Sequence, residues 1–171
     1  MDIIDKIRQR AKAKVKAIAL PEIEDSRVKE AAKIIENDGI AKVLLFGRGM
    51  LDKTRQEKYS QDYYELRKLK GISLDDARRV LEDPLYYAAM MTHNGEIDGF
   101  VAGASHTTPD VARSAIQCLG VDERINIASS CFIMSVAGSP YGEGGAFIFA
   151  DCGIVPEPNS LQLASIAIAN A

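Results

Sequence analysis

Val43-Leu44-Leu45-Phe46 carries no polar residue and stops at Gly47, a pattern that fits a strand buried on both faces rather than one with a wet side. Before it, Val28, Ala31, Ala32 and Ile35 recur at i, i+3, i+4 and i+7. That run ends at Asn37-Asp38-Gly39, where glycine takes the left-handed position of a helix stop. Ahead of the helix, Ala17-Ile18-Ala19-Leu20 is a second short apolar run, closed by Pro21. Strand, helix and buried strand make a βαβ unit, whose crossover is almost always right-handed.

The same rhythm extends in both directions. Ile3, Ile4, Ile7 and Ala11 predict an opening helix. Residues 62–70 read as a charged helix stopped by Gly71, and Ser73 caps another with Leu74, Ala77, Val80 and Leu81 on one face. Asp83-Pro84 starts a further helix that runs to Asn94-Gly95. A third strand is expected at Gly99–Ala102, followed by a helix from Thr108-Pro109 through Cys118 that Gly120 ends. This alternation predicts an α/β domain, three layers α/β/α around a mostly parallel sheet, over residues 1–123.

After residue 124 the pattern changes. Two strand-like runs at 125–136 and 146–155 bracket a glycine-rich turn, and Ser160–Ala171 has Leu161, Ala164 and Ile168 on one helical face. Residues 124–171 are therefore read as the opening of a second, incomplete α/β domain. The last helix stops without glycine, proline or a basic turn, so the chain is expected to end inside or just after it.

Composition removes several function classes. The 171 residues have a net charge of −3, which gives no overall attraction for nucleic acid, and any anion site must be local. No apolar stretch approaches the ~20 residues that cross a bilayer. Three cysteines at wide spacing (Cys118, Cys131 and Cys152) fit reduced thiols better than a disulfide framework or zinc site, and two histidines argue against a metal centre. The amino terminus lacks an apolar signal core, and the protein is expected to be cytoplasmic.

Gly103-Ala104-Ser105-His106-Thr107-Thr108 joins a strand end to a capped helix start, where free backbone N–H groups and the helix dipole attract anions. Small residues admit a phosphate, Thr107 and Thr108 add hydroxyls, and Arg113 lies one turn beyond, able to clamp it. A tight βα turn with a solvated arginine has the same signature, and spacing leaves both open. A serine hydrolase centred on Ser105 is disfavoured, because Thr107 stands where the nucleophile elbow needs glycine and adjacent Ser and His side chains diverge. Arg27 starts a helix at the carboxyl end of a parallel strand, the rim where such sheets bind ligands. Arg67 belongs to a basic helix end, and Asp151 is a carboxylate at a strand end.

Four ordered segments carry a resemblance. They are Ala19-Leu20-Pro21-Glu22 with Glu24-Asp25 and Arg27, then Tyr64-Glu65-Leu66-Arg67 with Lys70-Gly71, then Gly103-Ala104 with His106-Thr107-Thr108, Asp110 and Arg113, and lastly Phe149-Ala150-Asp151-Cys152. Together they resemble the phosphate acetyltransferase family over nearly the whole chain. The resemblance implies reversible acetyl transfer between acetyl phosphate and coenzyme A, without metal or prosthetic group, in a cleft between two domains of the isocitrate/isopropylmalate dehydrogenase type. It also implies a homodimer. Arg67 and Arg113 would meet the phosphates of CoA, Arg27 would be a further anion-site arginine, and Gly103–Thr108 would line the cleft. The family's catalytic Ser-Arg pair and thiol-deprotonating Asp have no counterpart within these 171 residues, so no catalytic residue is assigned. If the chain alone were active, Asp110, Asp151 and His106 would be the candidate bases. The segment from Phe46 to Tyr64 is shorter than in the family, and Ser114 replaces the usual proline. A non-catalytic CoA- or phosphate-binding module, as in malic enzymes with an appended domain of this family, is the alternative.

Overall fold

A computed structural model describes residues 2–170. The chain divides into two compact units, residues 11–120 and residues 2–10 with 121–170.

In the first unit β1 (Lys16–Leu20) lies between β2 (Ala41–Leu45) and β3 (Gly99–Phe100), all parallel. Ile18 pairs with Val43 on one side and Gly99 on the other. Alternation along these strands divides their side chains between two faces. Ala17, Ala19, Leu44 and Phe100 face the main core, with Tyr59, Tyr63, Leu81, Ala88, Met90 and Cys118. Ile18, Leu20 and Val43 face α2 (Ser26–Asn37), whose Val28, Ala31 and Ile35 help line an apolar cavity of about 450 Å³ against the sheet. Helices therefore cover both faces, as the apolar strands require. The expected three-layer α/β architecture is present, with the third strand two residues shorter than its expected span.

The core face is held by α5 (Pro84–His93), in which Leu85, Tyr87, Ala88, Ala89, Met90 and Met91 are all buried. Asp83 accepts from the Leu85 amide at 2.9 Å and Pro84 takes the first turn, so the helix starts where the sequence placed it. Tyr87 meets Tyr59 and Phe46 edge-on, with ring centroids 5.0 and 5.7 Å away. Tyr59 belongs to α3 (Lys53–Arg67), which starts nine residues before the expected helix because Asp52 caps it. Its buried stripe, Tyr59, Ser60 and Tyr63, is not aliphatic and leaves no strong periodic signal. A short 3₁₀ turn at Lys68–Lys70 and left-handed Gly71 then lead to α4 (Leu74–Val80), closed at its start by a reciprocal Ser73–Asp76 capping box. The helix α6 (Thr108–Leu119) completes this unit.

The second unit contains α1 (Ile3–Ala13) up to Arg10, an antiparallel hairpin of β4 (Cys131–Ser135) and β5 (Ala146–Ala150), and α7 (Ser160–Asn170). The two strand-like runs are thus shorter than expected, and Ala171 lies outside the described residues. Among the described residues, no helix is long and apolar enough to cross a membrane.

Candidate anion site at the carboxyl ends of the parallel strands

The loops that leave β1 and β3 lie side by side because their strands are paired neighbours, and the first delivers Glu22 to the second. Glu22 is 3% exposed. Its Oε2 accepts the amides of Gly103 and Ala104 and its Oε1 those of Ser105 and His106, each at 2.9 Å. Oε1 also accepts from Ser105 Oγ at 3.0 Å and lies 2.7 Å from His106 Nδ1. Gly103 at φ 120° gives the loop the curvature that lets four successive N–H groups converge. Burial raises the Glu22 pKa, but hydrogen bonds from Ser105, Ala104 and His106 outweigh it and hold the carboxyl at about 2.

The phosphate cradle expected over Gly103–Thr108, with Arg113 one turn beyond, begins with this loop. The loop does gather an anion, but the anion is a side chain of the protein. Ser105 and His106 likewise form no nucleophile–base pair, since both side chains address Glu22.

His106 sits between carboxylates, with Nε2 3.6 Å from Asp83 Oδ1 and its ring a quarter exposed. Arg27 follows the N-cap Asp25, whose Oδ2 is 2.6 Å from Arg27 Nη2; the Asp25 carboxyl is lowered to about 2 mainly by that guanidinium. The same Nη2 donates to Ala104 O at 2.8 Å, so Arg27 is tied to the loop that Glu22 organises. The apolar cavity under α2 touches Glu22, Arg27 and Ala104 at one end, but its lining includes neither Arg67 nor Arg113.

Thr107 caps α6, its Oγ1 accepting from the Asp110 amide at 3.4 Å and donating to Asp110 Oδ2 at 2.6 Å. Thr108 opens the helix and is exposed. Asp110 is lowered, first by the Thr107 hydroxyl, and accepts from Arg113 Nη1 at 3.2 Å. Ser114 is buried and donates to Val111 O at 2.8 Å, and α6 continues unbroken through it.

Arg67 and Arg113 border one polar cluster. Tyr63 and Tyr86 both donate to Gln117 Oε1, at 2.8 and 3.1 Å, with their rings edge to face 5.9 Å apart. Gln117 lies one turn beyond Arg113 on α6, and the Arg113 charge opposes the rise that burial imposes on Tyr86. Arg67 does the same to Tyr63 and to Cys118, whose thiol burial pushes up to about 12. Arg67 makes no salt bridge among the described residues, and its Nε is buried without a hydrogen-bond partner. Asp110 and Asp25 partly balance Arg113 and Arg27; Arg67 has no such carboxylate partner among the described residues.

Glu22, Tyr63, Tyr86 and Gln117 have roles that the local sequence does not announce. The available signal was positional for Glu22 alone, a carboxylate directly after a parallel strand and its proline. In the other unit, Asp151 accepts from Ser130 N and Oγ at 2.5 Å each, from Ile154 N at 2.9 Å and from Val155 N at 2.5 Å. Burial raises its pKa, yet these bonds hold it well below the usual carboxylate range, which suits an anchor better than a proton acceptor. Among the described residues, no group of three or more His, Cys, Asp and Glu side chains could hold a metal ion.

The family model for phosphate acetyl/butaryl transferase matches residues 2–171. A phosphate acetyltransferase of Acetivibrio thermocellus is 41% identical over 187 residues, taking in 98% of this chain and 56% of the relative. One from Thermoanaerobacterium thermosaccharolyticum is 40% identical over 190 residues, 100% of this chain and 58% of the relative. A crystal structure of a phosphotransacetylase from Streptococcus pyogenes superposes with a TM-score of 0.85 at 28% identity, covering 98% of this chain and 57% of that one. The chain thus spans 56–58% of the length of these curated relatives. The alignments are also longer than the chain itself, so the relatives carry residues within the matched stretch that it lacks.

Proposed function

The chain belongs to the phosphate acetyl/butaryl transferase family, and from that premise we propose that residues 11–120 bind coenzyme A and an acyl phosphate for reversible acetyl transfer between acetyl phosphate and CoA. The observation that carries this reading is the uncompensated guanidinium of Arg67 beside the cluster that Arg113 borders. Both ligands are polyanions, and bidentate arginines suit a protein whose net charge offers no general attraction.

In the transfer, the CoA sulfur forms a bond to the acyl carbon as the carbon–oxygen bond to phosphate breaks, and phosphate leaves with that bond's electron pair. The thiol proton must go to a base, and no group here is assigned that task. Asp110 is engaged by Thr107 and Arg113, and Asp151 by four hydrogen bonds. Arg27, Arg67 and Arg113 offset charge on the ligands, with His106, Thr107, Thr108 and Gly103 lining the approach. The reaction in this reading needs no metal or prosthetic group and runs in the cytoplasm on a homodimer, which sedimentation would check.

The engagement of both carboxylates in hydrogen bonds within the protein favours binding without turnover for these 171 residues. An effector-binding or oligomerisation module is the second reading. Calorimetric titration with CoA of the full chain, and of Arg67→Ala and Arg113→Ala, tests the site. Binding that weakens at least about tenfold in each variant supports it, as loss of a charged hydrogen-bond partner should. Acetyl-CoA formation from acetyl phosphate, followed by thioester absorbance, separates the two readings.

A further inference from the structure

We propose that Glu22 is the positioning residue of this anion site, one buried carboxylate that fills the Gly103–His106 nest and thereby sets both His106 and Arg27. The inference deepens the binding reading above and rests on it.

Four successive backbone N–H groups in the loop ahead of α6 form a concavity suited to a phosphate oxygen. Each is 2.9 Å from a Glu22 oxygen, so a ligand phosphate finds that position taken. The nest is therefore a scaffold, and the ligand is left to the side chains around it. An ionised carboxylate only accepts hydrogen bonds, which makes His106 Nδ1 the donor across their 2.7 Å contact. The imidazole then carries its proton on Nδ1, and Nε2 is turned toward Asp83 at the partly exposed edge of the ring.

The second effect runs through one residue. Ala104 gives its N–H to Glu22 and its carbonyl to Arg27 Nη2, at 2.9 and 2.8 Å. The Ala104 carbonyl shares its peptide plane with the Ser105 N–H, which donates to Glu22 Oε1 at 2.9 Å, so if that amide loses its acceptor the plane is free to rotate and Arg27 loses its anchor on the loop. Asp25 alone would then hold the guanidinium, which is otherwise 73% exposed. A neutral side chain of the same shape cannot substitute, because a glutamine offers one acceptor oxygen where six donors converge.

The test uses the full 171-residue protein and its Glu22→Gln and Glu22→Asp variants, read by ¹⁵N chemical shifts of His106 and by calorimetric binding of CoA. The wild type should show a proton on Nδ1. Glu22→Gln should show the Nε2-protonated form gaining population, upfield shifts of the 103–106 amide protons and CoA binding about tenfold weaker. Glu22→Asp should restore part of the Nδ1 signature. A wild type with Nε2 protonated and Nδ1 bare overturns the proposal. So does a Glu22→Gln protein with unchanged His106 shifts, whatever its stability. If Glu22→Gln does not fold, the wild-type nitrogen pattern alone decides. If the wild type binds no CoA, the binding reading fails, while the His106 signature still shows whether Glu22 sets the ring.

Discussion

Glu22 Oε1 and His106 Nδ1 stand 2.7 Å apart although 84 residues separate them in sequence, because parallel β1 and β3 bring the loops at their carboxyl ends together. The fold thereby converts a main-chain anion nest into a site for its own carboxylate. Energetically this concentrates much of the joint between two loops in one ionised group.

The pH dependence of folding should report that group. Its folded pKa, about 2, lies below the ordinary 4.5, so its stabilisation is fully present above about pH 4.5 and is lost as pH falls through 2. The shift corresponds to about 3 kcal/mol at neutral pH. Urea denaturation of wild type and Glu22→Gln at a series of pH values should show a gap of that order at pH 7, closing toward pH 2. Curves that stay parallel throughout would assign the variant's loss to something other than ionisation.

The cap on α6 is a separate and smaller device. Thr107 serves the Asp110 amide and side chain, whereas Thr108 is exposed in the first turn. Thr107→Ala should cost about 1 kcal/mol in urea denaturation and Thr107→Ser much less, while Thr108→Ala should stay within about 0.5 kcal/mol. Equal losses at the two threonines would contradict the assignment of the cap.

What sequence could reveal here follows from how local each feature is. The strands expected at 17–20 and 43–46, found at 16–20 and 41–45, were legible because burial on both faces forbids polar alternation, and α5 because Asp83-Pro84 is a complete start signal. The early turns of α3 were hidden, since their buried residues are tyrosine and serine rather than an aliphatic stripe. At the candidate site, Arg67, Arg113 and Arg27 stand out in the sequence only through motifs, whereas the cap at Thr107 follows from helix-start chemistry. The occupant of the nest follows from neither. Glu22 reaches its partners through strand pairing, and no local pattern encodes a contact across 84 residues. Gln117 was invisible for the same reason: its role depends on Tyr63 and Tyr86 arriving from α3 and α5.

Asp151 gives the second unit a comparable but shorter-range clamp, joining Ser130 to the turn at 154–155. Asparagine retains one acceptor oxygen and cannot serve four donors. Hydrogen exchange at the amides of Ser130, Ile154 and Val155 should therefore accelerate by about tenfold or more in Asp151→Asn, with residues 11–120 unaffected. Unchanged exchange at those three amides would show that the carboxylate does not anchor the turn, and would return Asp151 to the candidate bases.

Arg67 separates binding from stability. A buried guanidinium nitrogen without a partner is a cost to the folded chain, and the guanidinium makes no salt bridge among the described residues. Arg67→Met retains much of the aliphatic packing and removes the charge, so thermal unfolding should be unchanged or shifted upward. CoA affinity in the same protein should fall at least about tenfold, because only the external anion loses a partner. Arg113 differs in that its removal also frees Asp110, so Arg113→Met should weaken binding with at most a small loss of stability. The contrast between the two arginines is the informative quantity. A stability loss at Arg67 with binding intact would mean that its charge serves the Tyr63 and Cys118 cluster rather than a ligand.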